Sequence, residues 1–211
     1  MISAAALALA IATQASAADD ETPKFRLSFD DWYVSSFGAV LVADENNILF
    51  DQFGWQGSVA SGVRLNDGRF RLELEATRRR IGLVGLNGAG AAPGQFNARS
   101  AFMNGYVHLK PDAKFDPYIG GGFGRGEQNY RLQGMADEVD YMVVMDDTST
   151  AKVYHGMAGV EVDLLRRLSA NIETRYFTLE DKTIGANFGR WNGIERSYQL
   201  GVGLSYRFGR D

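Results

Sequence analysis

The stretch at positions 197–208 alternates large apolar residues with small or polar ones without a break. Successive side chains of a β-strand point to opposite faces, so this pattern predicts a strand with one apolar and one polar face. The apolar face comprises Tyr198, Leu200, Val202, Leu204, Tyr206 and Phe208. An aliphatic middle, aromatic ends and a polar reverse face are typical of strands that cross a membrane in a β-barrel.

Strand-like stretches recur along the chain. Alternation assigns the faces of the third, sixth, seventh and last of them, and it leaves the first, fourth and fifth open, the fifth because its glycines offer little side chain to read. The predicted strands are residues 32–43, 55–65, 69–78, 100–109, 117–130, 153–164, 168–178 and 197–208. Short connections at 66–68, 110–116 and 165–167 alternate with long ones at 44–54, 81–99, 131–152 and 179–196. Outer-membrane barrels have short periplasmic turns and long external loops. The chain is therefore predicted to be all-β, an eight-stranded antiparallel transmembrane β-barrel.

The N-terminus indicates export. Residues 1–17 form an apolar run that ends in Ala15-Ser16-Ala17, which predicts a cleaved signal peptide. Residues 18–29 are then a short periplasmic segment, and residues 30–211 are the barrel. A soluble sandwich or a lipocalin-like barrel would have its charged face outside. The export signal, the aromatic strand ends and the alternation of connections favour the membrane barrel instead.

Composition excludes several classes of function. The chain has no cysteine, so no disulfide framework stabilises it. Its net charge of −4 gives no support for nucleic-acid binding. With two histidines and no cysteine it cannot form a closed zinc site of the usual nitrogen and sulfur type. We expect no metal and no cofactor.

Alternation also assigns charged side chains to the inside of the barrel. They are Arg71, Glu73, Glu75, Glu161, Glu173, Arg175 and Arg207. The interior of an eight-stranded barrel is just wide enough for side chains to fill it, and unpaired charges there would be costly. These residues are therefore expected to pair, either as a permanent polar plug or as the gate of a narrow pore.

Three consecutive arginines end the third predicted strand. Parity places Arg78 and Arg80 on the lipid-facing side, near the outer membrane surface. Arginine binds phosphate through paired hydrogen bonds, and lipopolysaccharide of the outer leaflet carries phosphates. Contact with lipopolysaccharide is one interpretation, and a solvated rim that keeps the strand end in water is the other.

The residues that could carry catalysis form no recognisable site. His155 has Met157 two positions later and no serine at that place. His108 has no serine or aspartate set about it in the sequence, so no catalytic triad is predicted. The glycine-rich stretch 85–94 lacks the Lys-Ser/Thr of a phosphate loop and is interpreted as an external loop. No catalytic residue is assigned.

Three segments carry a resemblance to known proteins. Residues 100–109, 117–124 and 154–177 resemble the small outer-membrane β-barrel superfamily of Gram-negative bacteria, which includes OmpA-like and OmpX-like barrels and surface antigens. The resemblance implies insertion into the outer membrane by the barrel assembly machinery. It also implies a structural or surface role, with external loops that contact outer-membrane lipids, host molecules or other surface ligands. A small passive pore is the alternative, and a lipid A-modifying enzyme is a third, less favoured one.

Overall fold

A computed structural model describes residues 32–44, 48–86, 90–111, 113–136, 139–179, 182–186, 189–193 and 196–208. Eight of its strands form one closed barrel: β1 (Trp32–Asp44), β2 (Ile48–Leu65), β3 (Phe70–Leu86), β4 (Gly90–His108), β5 (Phe115–Ala136), β6 (Val139–Asp163), β7 (Leu168–Leu179) and β10 (Arg196–Arg207). Strands β8 (Lys182–Ala186) and β9 (Gly189–Gly193) form a separate hairpin. The predicted signal peptide and periplasmic segment lie outside the described residues.

The barrel is antiparallel throughout. Each strand pairs with its neighbour along the chain, β7 pairs with β10, and β10 closes the barrel on β1. Among the described residues, no helix is long and apolar enough to cross a membrane. The predicted all-β fold with eight antiparallel barrel strands is confirmed.

The form of the long connections was predicted wrongly. Most of the residues assigned to loops continue the barrel strands as paired extensions, here called ribbons, in which β3 pairs with both β2 and β4, and β5 pairs with β6. The last such connection contains the β8–β9 hairpin. Strands β5 and β6, for example, stay paired as far as Met135 and Met142. Beyond the membrane a strand needs no lipid-facing side, so its alternation can disappear while its backbone pairing continues.

The short connections match the prediction. The turn between β2 and β3 places Asn66, Asp67 and Gly68 at φ values of 52°, 53° and 83°. These residue types tolerate such left-handed backbone better than others. The short turns lie at the same end of the barrel as Trp32 and Arg207. In outer-membrane barrels this is the periplasmic end.

The outside of the barrel is an apolar belt. On β10 every second residue from Tyr198 to Phe208 is exposed, and the residues between them are buried. The outward residues of the periplasmic rim are aromatic or aliphatic: Trp32, Leu65, Phe70, Leu109, Phe115, Leu164, Leu168 and Phe208. Four or five outward positions higher, the strands reach the opposite rim of the belt. There β2, β6, β7 and β10 carry Trp55, Tyr154, Tyr176 and Tyr198, whereas β3, β4 and β5 carry Arg78, Arg99 and Arg125.

The glycines of β5 make room inside the barrel. The faces of this strand were left open by the sequence; the structure turns Tyr118 inward and Phe123 outward. Inward-facing Gly122 lies against two side chains of neighbouring strands. A Cβ atom there would lie 2.1 Å from Oδ1 of Asn104 and 2.2 Å from Nε2 of His155. The absence of a side chain at this position therefore lets those two residues meet across the strand.

Candidate functional site

The candidate site is the lumen. All seven residues predicted to face inward are buried there: Arg71, Glu73, Glu75, Glu161, Glu173, Arg175 and Arg207. The same face also buries Arg64, Arg79 and Asp116. The buried set thus holds five arginines and five carboxylates. Equal numbers of opposite charges fit an interior in which each charge needs a partner.

A bridge across the lumen forms the centre of the site. Nη1 of Arg175, on β7, donates to Oε1 and Oε2 of Glu75, on β3, at 2.8 and 2.9 Å. Its Nε donates to Glu173 on the same strand. The guanidinium carbon also lies 4.4 Å from the ring centre of Phe37 on β1. One arginine therefore joins the walls formed by β1, β3 and β7.

A second carboxylate is held by neutral donors. Glu73 accepts hydrogen bonds from the hydroxyls of Tyr33, at 2.7 Å, and Tyr106, at 3.0 Å. The amide of Asn104 donates to both Glu73 and Glu75, at 3.2 and 2.7 Å. Asn104 thus connects this carboxylate to the central bridge.

A second ion-pair cluster lies nearer the periplasmic end. Glu161 on β6 accepts from Arg64 and from Arg71, whose Nη1 is 3.2 Å away. Arg64 and Arg71 stand directly opposite each other on β2 and β3, so the carboxylate neutralises two like charges that face each other. The guanidinium of Arg71 also lies 3.7 Å from the ring centre of Tyr106. This stacking favours the cation in a space that water fills poorly.

Arg207 lies apart from the central bridge. It forms an ion pair with Asp163 at the periplasmic rim, where the side chain of Asp163 is 48% exposed. The structure therefore brings six of the seven predicted residues into the lumen network and assigns Arg207 to a separate pair at the rim.

The lumen leaves little free space around the central bridge. A cavity of about 20 Å³ lies among Arg71, Glu73, Glu75, Tyr106 and Arg175. That is room for about one water molecule. In this conformation the central bridge and the tyrosines fill the cross-section of the barrel.

Sequence reasoning missed several members of this site. Arg64 follows outward-facing Val63 on β2, so alternation could have identified it. Arg79 was treated as part of the outer arginine run, yet it is fully buried with its guanidinium 4.8 Å from the ring centre of Phe177. Alternation along β3 could have identified Arg79 as inward-facing, because it lies between outward-facing Arg78 and Arg80.

The two histidines have structural partners. The expectation that no aspartate lies near His108 was wrong: Nδ1 of His108 is 2.5 Å from Oδ2 of Asp116. Asp116 also accepts from the backbone N–H of Lys110, at 3.1 Å, and so fixes the β4–β5 turn. His155 has Nε2 2.9 Å from Oδ1 of Asn104, and its ring centre is 4.6 Å from that of Phe177. No group of three residues suited to a metal occurs in the described part of the chain.

A closed antiparallel barrel with an apolar outside, an aromatic rim and a charged, filled inside is a transmembrane β-barrel. The chain belongs to the family of the outer membrane protein beta-barrel domain, whose sequence model matches residues 3–208. It is therefore a protein of the bacterial outer membrane. A comparison with curated protein sequences found no significant match.

Solved structures with the same fold include surface proteins. Neisserial surface protein A is 18% identical, with a TM-score of 0.59, over 84% of this chain and 97% of that protein. Ail, the attachment invasion locus protein of Yersinia pestis, in complex with the heparin analogue sucrose octasulfate, is 10% identical, with a TM-score of 0.50, over 83% and 97%. The outer membrane protease OmpT of Escherichia coli is 10% identical, with a TM-score of 0.46, over 89% and 99%. At these identities the likeness concerns the fold alone, because one fold hosts many functions.

Proposed function

We propose that the chain is a non-enzymatic surface protein of the outer membrane. Its barrel is a sealed anchor that supports membrane integrity, and its external ribbons contact molecules at the cell surface. The observation that carries this proposal is the bridge from Glu75 through Arg175 to Glu173, which spans the lumen and leaves room for about one water. Because the lumen is blocked in this way, the function lies on the outer surface of the barrel and on its ribbons.

The ribbons give this surface role a physical basis. Strands β5 and β6 remain paired beyond Arg125 and Lys152, which lie at the outer rim of the belt, through Leu132 and Met145. Paired strands present side chains on a defined backbone, which lowers the entropy lost on binding. The names of two proteins with this fold, a surface protein and an attachment protein, agree with such a role. We also propose that the barrel assembly machinery inserts the chain.

A small gated pore is the second candidate. The observation in its favour is that Arg175 lies between two carboxylates, so a rotation of its side chain could exchange partners and open a path. An enzyme that modifies lipid A has less support. His155 is bonded to Asn104 and His108 to Asp116, and both histidines are buried.

Conductance across a planar lipid bilayer tests the sealed lumen. The mature chain is folded, its folding is verified by the heat-dependent gel shift of barrels, and current is recorded with a known porin as the positive control. We expect folded protein to give no discrete conductance steps. Reproducible steps from folded protein would refute the sealed anchor and favour the pore.

A shortened ribbon tests the surface role. Replacing residues 132–145 by Asn-Gly leaves Arg131 and Asp146 as the last pair of the hairpin, and the two residues form the turn. In cells that lack the protein, we expect both chains to restore resistance to detergent, which the barrel provides, and only the full-length chain to restore adhesion of the cells to a heparin-coated surface. Full restoration by the shortened chain would show that this ribbon is not needed.

A further inference from the structure

Two neighbouring periplasmic turns carry exposed cations beside apolar residues. Arg69 precedes Phe70 at the end of the turn between β2 and β3. Lys110 and Lys114 lie at the two ends of the turn between β4 and β5. The side chains of these three residues, here called the periplasmic cation cluster, are all exposed. The lumen network uses none of them, so their presence at this end of the barrel needs a separate explanation.

The two turns are in contact with each other. The backbone N–H of His108, at the end of β4, donates to the carbonyl oxygen of Arg69 at 2.8 Å. A Cβ atom added at Gly68 would lie 3.6 Å from Cβ of Pro111, which is ordinary van der Waals contact between the first turn and the second. The three cations therefore belong to one surface of the protein.

Hydrogen bonds hold the backbone of the second turn in place. The N–H of Lys110 donates to Oδ1 of Asp116 at 3.1 Å, and the N–H of Ala113 donates to the carbonyl oxygen of Lys110 at 3.0 Å. Asp116 is itself buried and bonded to His108. A backbone that is already fixed lowers the entropy lost when the side chains on it bind a ligand.

The periplasmic cation cluster has an excess of positive charge. Within the part of the chain that the structure describes, none of its three side chains forms an ion pair. Among the described residues of the two turns, Asp67 is the one exposed acid. The turn between β6 and β7 differs, because Arg166 is the one exposed cation among its described residues. Anionic lipid surfaces attract groups of cations such as this cluster.

Each cation of the cluster is next to a residue of the apolar belt. Leu109 precedes Lys110 and is 57% exposed, and Phe115 follows Lys114 and is 61% exposed. These apolar residues mark the boundary between the hydrocarbon and the headgroups of the periplasmic leaflet, which consists of glycerophospholipids. A cation at this boundary lays its stem along apolar surface and extends its charged end to the headgroups. Both arginine and lysine bind phosphate.

We propose that the periplasmic cation cluster binds the phosphate of an anionic glycerophospholipid of the periplasmic leaflet, whose acyl chains lie against Phe70, Leu109 and Phe115. The partner is a lipid because a phosphate bound here has the hydrocarbon-facing wall directly beside it. An anionic lipid is favoured over a zwitterionic one, because the headgroup of the latter carries a cation of its own. The proposal rests on the location of the barrel in the outer membrane and is independent of the role of the ribbons and of whether the lumen conducts.

Binding of phospholipid to folded protein in detergent micelles tests the proposal, with native mass spectrometry as the readout. The probes are phosphatidylglycerol, phosphatidylcholine with the same acyl chains, and glycerophosphate as a soluble competitor. We expect phosphatidylglycerol to bind at least about tenfold more tightly than phosphatidylcholine, and millimolar glycerophosphate not to displace it. Equal binding of the two lipids would overturn the proposal without the need for any variant. Displacement by glycerophosphate would show an unspecific anion site and also overturn it.

Matched variants locate the site. Lys114→Gln and Arg166→Gln each remove one exposed cation from a periplasmic turn, the first inside the cluster and the second outside it. One cation near an anionic lipid surface contributes about fivefold in affinity, so we expect Lys114→Gln to weaken the binding of phosphatidylglycerol about fivefold and Arg166→Gln to weaken it less than about twofold. The triple variant Arg69→Gln, Lys110→Gln and Lys114→Gln is expected to lose roughly a hundredfold. Equal losses in the two single variants, or an unchanged lipid preference in the triple variant, would overturn the proposal.

Discussion

Replacing Arg175 by methionine tests the central bridge of the lumen. Methionine keeps an unbranched apolar stem but donates no hydrogen bond. The change leaves Glu75 and Glu173, which are 3% and 1% exposed, without the cation they share. We expect a barrel that still closes, because the strands are unchanged, and that unfolds far more easily.

The expected loss follows from the contacts. Removing one member of a buried ion pair costs about 3–5 kcal/mol. The three hydrogen bonds of Arg175 to its two carboxylates would give more if each contributed its full ~1.5–3 kcal/mol. Entry of water beside the two carboxylates limits the loss, so about 3–5 kcal/mol in the free energy of unfolding is the expected value.

Urea unfolding in phospholipid vesicles measures this free energy, with tryptophan fluorescence and the heat-dependent gel shift as probes. Arg166→Met is the control, because Arg166 is exposed in the periplasmic turn. The double variant Arg175→Met with Glu75→Gln should recover part of the loss, since it removes one of the two carboxylates that are left without a cation. If Arg175→Met unfolds within about 0.5 kcal/mol of the control, which is the usual range for a surface substitution, the bridge does not stabilise the barrel.

Two further changes test other parts of the lumen. Gly122→Ala inserts a methyl group within 2.2 Å of Asn104 and His155 and should destabilise the barrel by about 1–3 kcal/mol in the same unfolding assay. Gly121→Ala is its control, because there the nearest atom to the added Cβ is 3.5 Å away, and equal effects of the two would contradict the packing argument. Glu161→Gln should lower the free energy of unfolding by about 3 kcal/mol, since two facing arginines lose their shared carboxylate; an unchanged urea midpoint would show that these arginines are neutralised in another way.

Alternation was enough to predict the faces of β3, β6, β7 and β10, whereas the glycines of β5 left its faces open. On β3 from Phe70 to Ala76, and on β7 from Leu168 to Tyr176, each residue type agrees with its side of the wall. The inward position of Glu73, Glu75 and Arg175 could therefore be derived from parity. Parity does not identify partners across a barrel. Glu75 and Arg175 are 100 residues apart in sequence, and they meet because the stagger of the closed barrel brings β3 and β7 to the same height. That stagger is a property of the whole sheet.

The errors of the sequence analysis have a common physical cause. The ribbons were taken for loops because a strand in water loses its apolar face and with it the signal of period two. The contact of His108 with Asp116 was missed because Asp116 was counted in the turn, although it is the second residue of β5. In both cases the backbone pairing extends further than the pattern of side chains reveals.

The two halves of the outer rim also affect how the protein sits in the bilayer. On β3 to β5, arginines stand where the other strands carry aromatic residues. The apolar surface of these strands therefore ends one outward residue nearer the periplasm, which corresponds to about 5 Å along the membrane normal. A bilayer matches such an uneven wall either by thinning on that side or by a tilt of the barrel axis. Either response gives the barrel a built-in preference for its orientation in the bilayer, with β3 to β5 on the side where the apolar wall is lowest.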